Sequence, residues 1–189
     1  WVLMPASLLP GKGQAYAIEA LGQLRREGHE ATLWLAGGTT TPSARAYVAE
    51  LESEAERCGV SDCVRFLGWR GDLPAVMVRA DIVILPSLTE GLPLSIMESL
   101  SLARPTIASD VGGISDLVVH EETGLLIPRK DPAALKEALV RFIEDPKSAE
   151  QMAAAGQERM RTTFSPERHT ERMLEAFDEA LRRSGRSVA

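Results

Sequence analysis

Short apolar runs alternate with longer amphipathic segments over residues 1–127, and this alternation most limits how the chain can fold. Such runs, bounded by glycine or proline, are typical of buried strands, and apolar residues three and four positions apart are typical of helices. Strands that alternate with helices form right-handed βαβ units and a parallel sheet covered on both faces. The sequence therefore predicts an α/β fold with a doubly wound, six-stranded parallel sheet. The predicted strands are residues 1–5, 31–36, 64–67, 82–85, 106–108 and 125–127.

Helical spacing fills the segments between the strands and continues after the last one. Asp131 is a candidate N-cap, because Pro132 suits the first helical position that would follow it. The length of 189 residues is enough for a single domain, which we expect to span residues 1–189. The predicted helices are residues 13–27, 43–57, 73–79, 94–103, 114–119, 132–143, 148–161 and 166–183.

Composition and charge exclude several classes of function. The formal net charge of −6 gives no support for nucleic-acid binding, and no apolar run is long enough to span a membrane. Cys58 and Cys63 form neither a disulfide framework nor a zinc pattern, and free thiols suit a reducing, cytoplasmic location. The chain opens on Trp1 without an initiator methionine or a signal peptide, so we expect it to be part of a longer protein.

The segment PSLTEGLPLSIMESL follows the fourth predicted strand and places two glutamates around the start of a helix. Open α/β sheets bind ligands at the carboxyl ends of their strands, which is where this segment lies. Pro93 suits the first helical position, and the amides of residues 94–96 are expected to be free to bind phosphate oxygens. Glu98 then lies about 7 Å along the helix axis from Pro93. Glu90 precedes the helix.

A sugar nucleotide carries its sugar, diphosphate and ribose in a row, and this order matches the segment. Each ionised carboxylate can accept hydrogen bonds from both hydroxyls of a vicinal diol. Glu90 suits the transferred sugar and Glu98 the ribose. Most glutamates are simply surface residues, which is the competing interpretation. The strand-to-helix position, with Gly91 between the two glutamates, favours the functional one.

Lys12 lies between two glycines after the first predicted strand, in PGKGQAY. It can supply the cation that a bound diphosphate needs, or it can be a charged residue in a glycine turn. A dinucleotide-binding fingerprint fails here, because Tyr16 stands where a third glycine is needed. A P-loop fails because Gly13 stands where serine or threonine must follow the lysine.

Two further loops lie at the same predicted edge of the sheet. In SDVGGISDL, Gly112 and Gly113 could allow close approach to a ligand, or could form a tight turn with Asp110 as a helix cap. Trp69 and Arg70 could border a nucleobase, or could be ordinary loop residues at the boundary of the fold. The residues alone leave both pairs of alternatives open.

Several segments together resemble the C-terminal domain of retaining glycosyltransferases with the GT-B fold, the family-four or "group one" transferases. The matching segments are PGKGQAYAIEAL, LWLAGG, CVRFLGW, ADIVILPSLTEGLPLSIMESL, RPTIASDVGGISDLV and TGLLIP, and they extend over nearly the whole chain. The resemblance implies a Rossmann-like domain that binds a nucleoside diphosphate sugar. It also implies transfer of the sugar to an acceptor hydroxyl with retention, without a metal or other cofactor.

The resemblance assigns roles to individual residues. Glu90 would contact the donor sugar and Lys12 the phosphates, and these two are the candidate catalytic residues. The amides of Leu94 and Ser95 would meet the diphosphate, Glu98 the ribose, and residues 66–70 would lie near the base. The complete candidate donor site is Ser7, Lys12, Trp69, Arg70, Glu90, Gly91, Leu92, Leu94, Ser95 and Glu98.

The chain departs from the family pattern at Ser7, where an arginine is usual, and at Pro93, where a glycine is common. We expect the N-terminal domain, which would carry the acceptor site and any membrane contact, to lie outside this chain, so the isolated domain is expected to be inactive. A non-catalytic nucleotide-binding module is the alternative, and the failed fingerprint disfavours an oxidoreductase. The resemblance also implies that the last helix crosses the domain junction, so its apolar stripe is expected to be partly exposed or held in a self-contact. That stripe is Met173, Leu174, Phe177 and Leu181.

Overall fold

The computed structural model of the chain describes residues 1–38 and 42–183, and it contains the predicted sheet. All strand pairs are parallel, and the order across the sheet is β3-β2-β1-β4-β5-β6. The doubly wound, six-stranded α/β fold is thereby confirmed. The strands are β1 (Val2–Pro5), β2 (Leu33–Ala36), β3 (Val64–Gly68), β4 (Ile82–Leu85), β5 (Thr106–Ser109) and β6 (Leu125–Ile127).

The helices also follow the prediction, with small differences at their ends. In the described residues no helix is long and apolar enough to cross a membrane. The helices are α1 (Gln14–Arg26), α2 (Pro42–Cys58), α3 (Leu73–Arg79), α4 (Leu94–Ser101), α5 (Ile114–Leu117), α6 (Pro132–Glu144), α7 (Pro146–Thr163) and α8 (Pro166–Arg183).

Side-chain capping explains where two of these helices begin. The Asp131 carboxylate accepts a hydrogen bond from the Ala134 amide at 2.9 Å, which confirms the predicted N-cap of α6. The Asp145 carboxylate likewise accepts from the Ser148 amide at 3.0 Å. Because this cap satisfies an otherwise free amide of the first turn, α7 begins two residues earlier than predicted.

The core consists of apolar layers on both faces of the sheet. Successive strand residues point to opposite faces, so Val2 and Met4 pack with α1, α2 and α6, whereas Leu3 packs with α3. Leu85 at the end of β4 joins α4, α5 and α7 in a further cluster. All four residues of β4 are buried, because helices cover both faces of this central strand.

The topological switch point lies between β1 and β4, which are neighbours in the sheet although not in sequence. Helix α1, which follows β1, packs on one face, and α4, which follows β4, packs on the other. The chain therefore leaves β1 and β4 toward opposite faces of the sheet, and the loops at the carboxyl ends of these two strands lie where doubly wound folds bind ligands.

Candidate functional site

Two loops meet at the switch point: the Lys12 loop (residues 6–13) after β1 and the Glu90 loop (residues 86–93) after β4. The Leu88 amide donates a hydrogen bond to the Gly11 carbonyl at 2.9 Å. Gly13 adopts a φ of 82°, and a Cβ there would stand 2.0 Å from the Pro86 carbonyl oxygen. Only glycine fits this approach at position 13, so Gly13 allows the Lys12 loop to pack against the Glu90 loop.

Lys12 and Glu90 form an ion pair. The Lys12 ammonium donates to both Glu90 carboxylate oxygens, at 2.8 and 2.9 Å. The Glu90 side chain is only 7% exposed and that of Lys12 29%, so the charges are partly shielded from water. The buried Ser87 hydroxyl also donates to Glu90, at 2.7 Å. The structure therefore joins the two candidate catalytic residues and adds Ser87, whose role the sequence did not indicate.

The β5–α5 connection (residues 110–113) holds the Glu90 loop from its other side. The Gly113 amide donates to the Gly91 carbonyl at 2.7 Å. Gly112 has a φ of 55°, and a Cβ there would lie 1.8 Å from the Glu90 carbonyl oxygen. The glycine pair thus serves close packing against the chain's own loop. Asp110 does not cap α5, because Gly113 occupies the N-cap position and no side chain bonds there.

Helix α4 begins at Leu94, as its predicted bounds have it, but Pro93 does not have the predicted role. Pro93 has an extended backbone (φ −73°, ψ 116°) and is the N-cap, so it is not the first helical residue. The Ile96 amide donates to the Pro93 carbonyl at 3.1 Å and is therefore not free for a ligand, contrary to the prediction. The Leu94 and Ser95 amides donate no hydrogen bond within the described part of the chain. Two free amides, rather than three, point out of the start of α4.

Glu98 lies one turn further along α4 and is exposed. It borders a mainly apolar groove of about 300 Å³ together with Pro74 of α3 and Leu94 and Met97 of α4. Among the described residues, its carboxylate has no hydrogen-bond or ion-pair partner. It is therefore available to accept hydrogen bonds from a ligand. Leu94, which borders the same groove, is 70% exposed, and Leu92 in the Glu90 loop is 49% exposed.

The remaining candidates lie at the outer part of this edge. Ser7 is exposed, and its carbonyl accepts a hydrogen bond from the buried Gln14 side chain at 2.8 Å. Trp69 is 78% exposed. Arg70 donates to both oxygens of Asp72, at 2.8 and 2.6 Å. This guanidinium holds the pKa of the Asp72 carboxyl below its usual range, and it also means that Arg70 already has an anionic partner.

The sequence profile of the family described as "Glycosyl transferases group 1" matches residues 1–159 of the chain. The chain is 30% identical over 155 residues to an alpha-D-kanosaminyltransferase of Streptomyces kanamyceticus, covering 80% of this chain and 38% of that protein. It is 32% identical over 166 residues to a GDP-mannose-dependent alpha-(1-6)-phosphatidylinositol monomannoside mannosyltransferase of Mycobacterium tuberculosis, covering 83% and 42%. The chain thus spans less than half the length of these curated relatives.

Solved structures share the fold. Anabaena HepE, determined in complex with UDP and also with UDP-glucose, superposes with a TM-score of 0.87 at 28% identity, covering 94% of this chain and 48% of HepE. The C-terminal domain of LpcC, a glycosyl transferase group 1 family protein of Francisella tularensis, superposes with a TM-score of 0.79. That match covers 87% of this chain and 86% of that domain, and at 23% identity it concerns the fold alone.

Proposed function

The chain belongs to the glycosyl transferases of group 1, and from that premise we propose that it is the donor-binding domain of a retaining glycosyltransferase. The full-length enzyme would move a sugar from a nucleoside diphosphate sugar to an acceptor hydroxyl. It would act in the cytoplasm, without a metal ion or other cofactor. The acceptor would be held largely by a domain outside this chain, so the isolated domain would bind the donor without transferring its sugar.

The ion pair between Lys12 and Glu90 at the switch point is the observation that carries this proposal. In this pair Lys12, which would bind phosphate, lies within one hydrogen bond of Glu90, which would bind sugar hydroxyls. The free amides of Leu94 and Ser95 begin the helix that follows the same loop. A helix start with free amides attracts anions, so a diphosphate suits the space between Lys12 and α4.

Donor binding would change the partner of Lys12. An incoming diphosphate competes with the Glu90 carboxylate for the Lys12 ammonium, since both are anions. The Ser87 hydroxyl, which already donates to Glu90, would keep its hydrogen bond to that carboxylate. The carboxylate, released by Lys12, would then accept hydrogen bonds from the sugar hydroxyls. Glu98, which has no partner in the described residues, would accept hydrogen bonds from the ribose.

During transfer, the bond between the anomeric carbon and the diphosphate oxygen would break, with the electron pair staying on that oxygen. The acceptor hydroxyl oxygen would bond to the anomeric carbon on the same face, and its proton would pass to the departing diphosphate. Lys12 and the two amides at the start of α4 would stabilise the negative charge that develops there. Donors fixed in position before the reaction are most effective for this purpose. In such a site they take over the charge stabilisation for which other transferases use a metal ion.

A non-catalytic nucleotide-binding module is the second candidate function, and the distribution of cations favours it. Ser7 stands where the resemblance to the family implies an arginine, so it would contribute no charge to the diphosphate. Arg70, the other cation among the candidate donor-site residues, donates from two nitrogens to the two carboxylate oxygens of Asp72. Lys12 would then hold the diphosphate with less help than a catalytic site needs.

Calorimetric titration of the 189-residue chain with UDP and UDP-glucose tests the donor site. UDP is the first probe because HepE, which shares the fold, was solved with it. We expect Lys12→Ala and Glu98→Gln each to weaken UDP binding by about tenfold or more, as loss of a charge-assisted hydrogen bond does. Glu52→Gln is the matched control, because Glu52 is an exposed glutamate on α2. If Lys12→Ala and Glu98→Gln both bind UDP as tightly as the unaltered chain, the proposed site is wrong. A complete lack of nucleotide binding by the unaltered chain would also refute it.

Transfer itself separates the two candidate functions. The full-length protein should release UDP from UDP-glucose, or from another donor that it binds, only when an acceptor is present. The Glu90→Gln variant should lower this rate by at least about a hundredfold, because Glu90 would hold the reacting sugar. Donor binding with no transfer by the full-length protein would instead support the binding module.

A further inference from the structure

A second cavity opens beside the donor site, over the carboxyl ends of β5 and β6. It has a volume of about 830 Å³ and is open to solvent. Its polar side chains are those of Thr89, Asp110, His120 and Arg129, all of which are exposed. We call this surface the β5–β6 shelf. None of these four residues belongs to the candidate donor site.

The shelf adjoins the place where the donor sugar would lie. Leu88 and Thr89 line it and immediately precede Glu90. Its opposite wall includes Gly112, whose backbone packs against the Glu90 carbonyl, and the neighbouring Gly113 amide binds the Gly91 carbonyl at 2.7 Å. A ligand on the shelf would therefore lie next to a sugar held by Glu90.

The shelf is supported by backbone hydrogen bonds on both sides. The Asp110 amide donates to the Ile127 carbonyl at 2.8 Å, which joins the end of β5 to the end of β6. The turn that follows His120 is closed by the Glu121 amide, which donates to the Gly124 carbonyl at 2.8 Å. These bonds hold the backbone near Asp110 and His120 in place before any ligand arrives, which lowers the entropic cost of binding.

Hydrogen bonding leaves His120 with one free donor. The Leu126 amide donates to His120 Nδ1 at 3.0 Å, so Nδ1 is the unprotonated nitrogen and Nε2 carries the hydrogen of the neutral ring. The side chains of Asp110 and Arg129 have no hydrogen bond or ion pair with any described residue, although they line one cavity. The shelf thus offers a free carboxylate, a free guanidinium and a free imidazole N–H.

This set of groups suits a neutral polyhydroxylated ring. Each sugar hydroxyl both donates and accepts, so it can use the carboxylate as an acceptor and the guanidinium and imidazole as donors. With a neutral imidazole, the charges of Asp110 and Arg129 cancel, so the shelf has no net preference for an anion. We propose that the β5–β6 shelf binds a sugar unit of the acceptor, next to the transferred sugar. This inference rests on the proposed transferase function and names its acceptor class as a glycan.

Histidine NMR tests the shelf directly, because the chain has three histidines and only His120 lines it. The ring resonances are followed in the 189-residue chain, saturated with UDP, during titration with methyl α-glucoside, methyl α-galactoside and methyl α-mannoside. We expect at least one glycoside to shift the His120 resonance with a dissociation constant on the order of 10 mM, a usual range for a weak single subsite. His29 and His169 should not move. No shift of His120 by any of the three would overturn the inference.

Variants decide where a bound glycoside lies. Asp110→Asn and Arg129→Gln should each weaken the glycoside effect on His120 at least about fivefold, since each removes a charge-assisted hydrogen bond. Glu52→Gln, which changes an exposed glutamate on α2, should leave it unchanged. Loss of the effect in Glu90→Gln alone would place the glycoside in the donor site, and a response of His120 to inorganic phosphate at equal concentration would identify an anion site. Either result overturns the inference.

The same titrations keep this inference separate from the donor-site proposal. UDP should shift the amide resonances of Leu94 and Ser95 whether or not a glycoside binds. If UDP produces these shifts and no glycoside shifts the His120 resonance, the donor-site proposal is supported and the acceptor subsite is refuted. If UDP produces no shift, the donor-site proposal fails first.

Discussion

At the scale of single residues, the Lys12–Glu90 ion pair connects the resting chain to ligand binding. Both side chains are largely shielded, so their attraction is stronger than that of an exposed pair. The pair also keeps the site neutral in the absence of a ligand. A phosphate that binds Lys12 must therefore break the Lys12–Glu90 ion pair. The free energy needed to break this pair reduces the affinity for the nucleotide.

Glu90→Gln should accordingly bind UDP more tightly than the unaltered chain, by about three- to tenfold. The neutral amide holds Lys12 less strongly and no longer repels the diphosphate. UDP-glucose should gain less than UDP, because the substitution also weakens contacts with the sugar. Calorimetry with both ligands measures the two ratios. Weaker UDP binding by Glu90→Gln would mean that Lys12 does not exchange Glu90 for phosphate.

Gly112→Ala should lower the free energy of unfolding by at least about 2 kcal/mol and should also weaken UDP binding. Its φ of 55° is costly for alanine, and the new Cβ would lie 1.8 Å from the Glu90 carbonyl oxygen. Gly59→Ala is the control, since Gly59 has a similar φ of 71° but no atom within 4 Å of the added Cβ. That variant should lose about 1 kcal/mol and keep its affinity for UDP. If Gly112→Ala and Gly59→Ala lose the same free energy of unfolding in urea, the Glu90 loop moves away from the added Cβ without a further cost.

The sequence predicted some of these residue contacts and missed others for definite reasons. Lys12 and Glu90 could be paired because strand ends at a switch point bring their loops together. The Ser87 bond to Glu90 depends on the path of the loop backbone, which no spacing rule supplies. Asp110 was a reasonable cap candidate, but the packing of Gly113 against Gly91 places the glycine at the N-cap instead.

At the scale of elements, alternating hydrophobicity was sufficient to predict all six strands and the eight helices. The errors lie at the ends of elements: β2, for example, begins at Leu33 and not at residue 31. Helix α4 ends at Ser101, two residues before the predicted end, because Ala103 adopts a left-handed backbone with φ 50°. Helix α7 begins early because Asp145 caps it. Both effects come from local backbone geometry that the apolar pattern does not encode.

Asp145→Ala should lower the free energy of unfolding by about 1 kcal/mol, because the Ser148 amide would lose its partner. Asp145→Asn is the matched variant: its side-chain oxygen can still accept that hydrogen bond, so its loss should be only a few tenths of a kcal/mol, or about 0.3. Urea unfolding followed by circular dichroism compares the two. If both variants lose the same stability, the charge of Asp145 at the helix start matters more than the hydrogen bond.

At the scale of the whole molecule, α8 differs from every other long helix because none of its residues is buried. Its apolar residues Met173, Leu174 and Phe177 are exposed by 44%, 59% and 59%. The expectation that part of this stripe lies exposed is thereby confirmed. An amphipathic helix with an uncovered apolar side has a strong tendency to associate, because contact removes that side from water.

The 189-residue chain should therefore self-associate at concentrations on the order of 100 µM, and Leu174→Glu combined with Phe177→Glu should make it monomeric. Sedimentation velocity measures the change. Stability should stay within about 0.5 kcal/mol of the unaltered chain, since neither side chain is buried in the monomer. The unfolding free energy therefore checks that the double substitution acts on association and not on the fold.

Arg172→Glu provides the matched control for this last prediction. Two apolar residues replaced by glutamate change the net charge by −2, and one arginine replaced by glutamate changes it from +1 to −1, which is also −2. At 100° per residue, Arg172 lies on the opposite side of α8 from the apolar stripe. This variant should still associate like the unaltered chain. If it becomes monomeric as well, repulsion between net charges, rather than the apolar stripe, governs association, and α8 has no role as a contact surface.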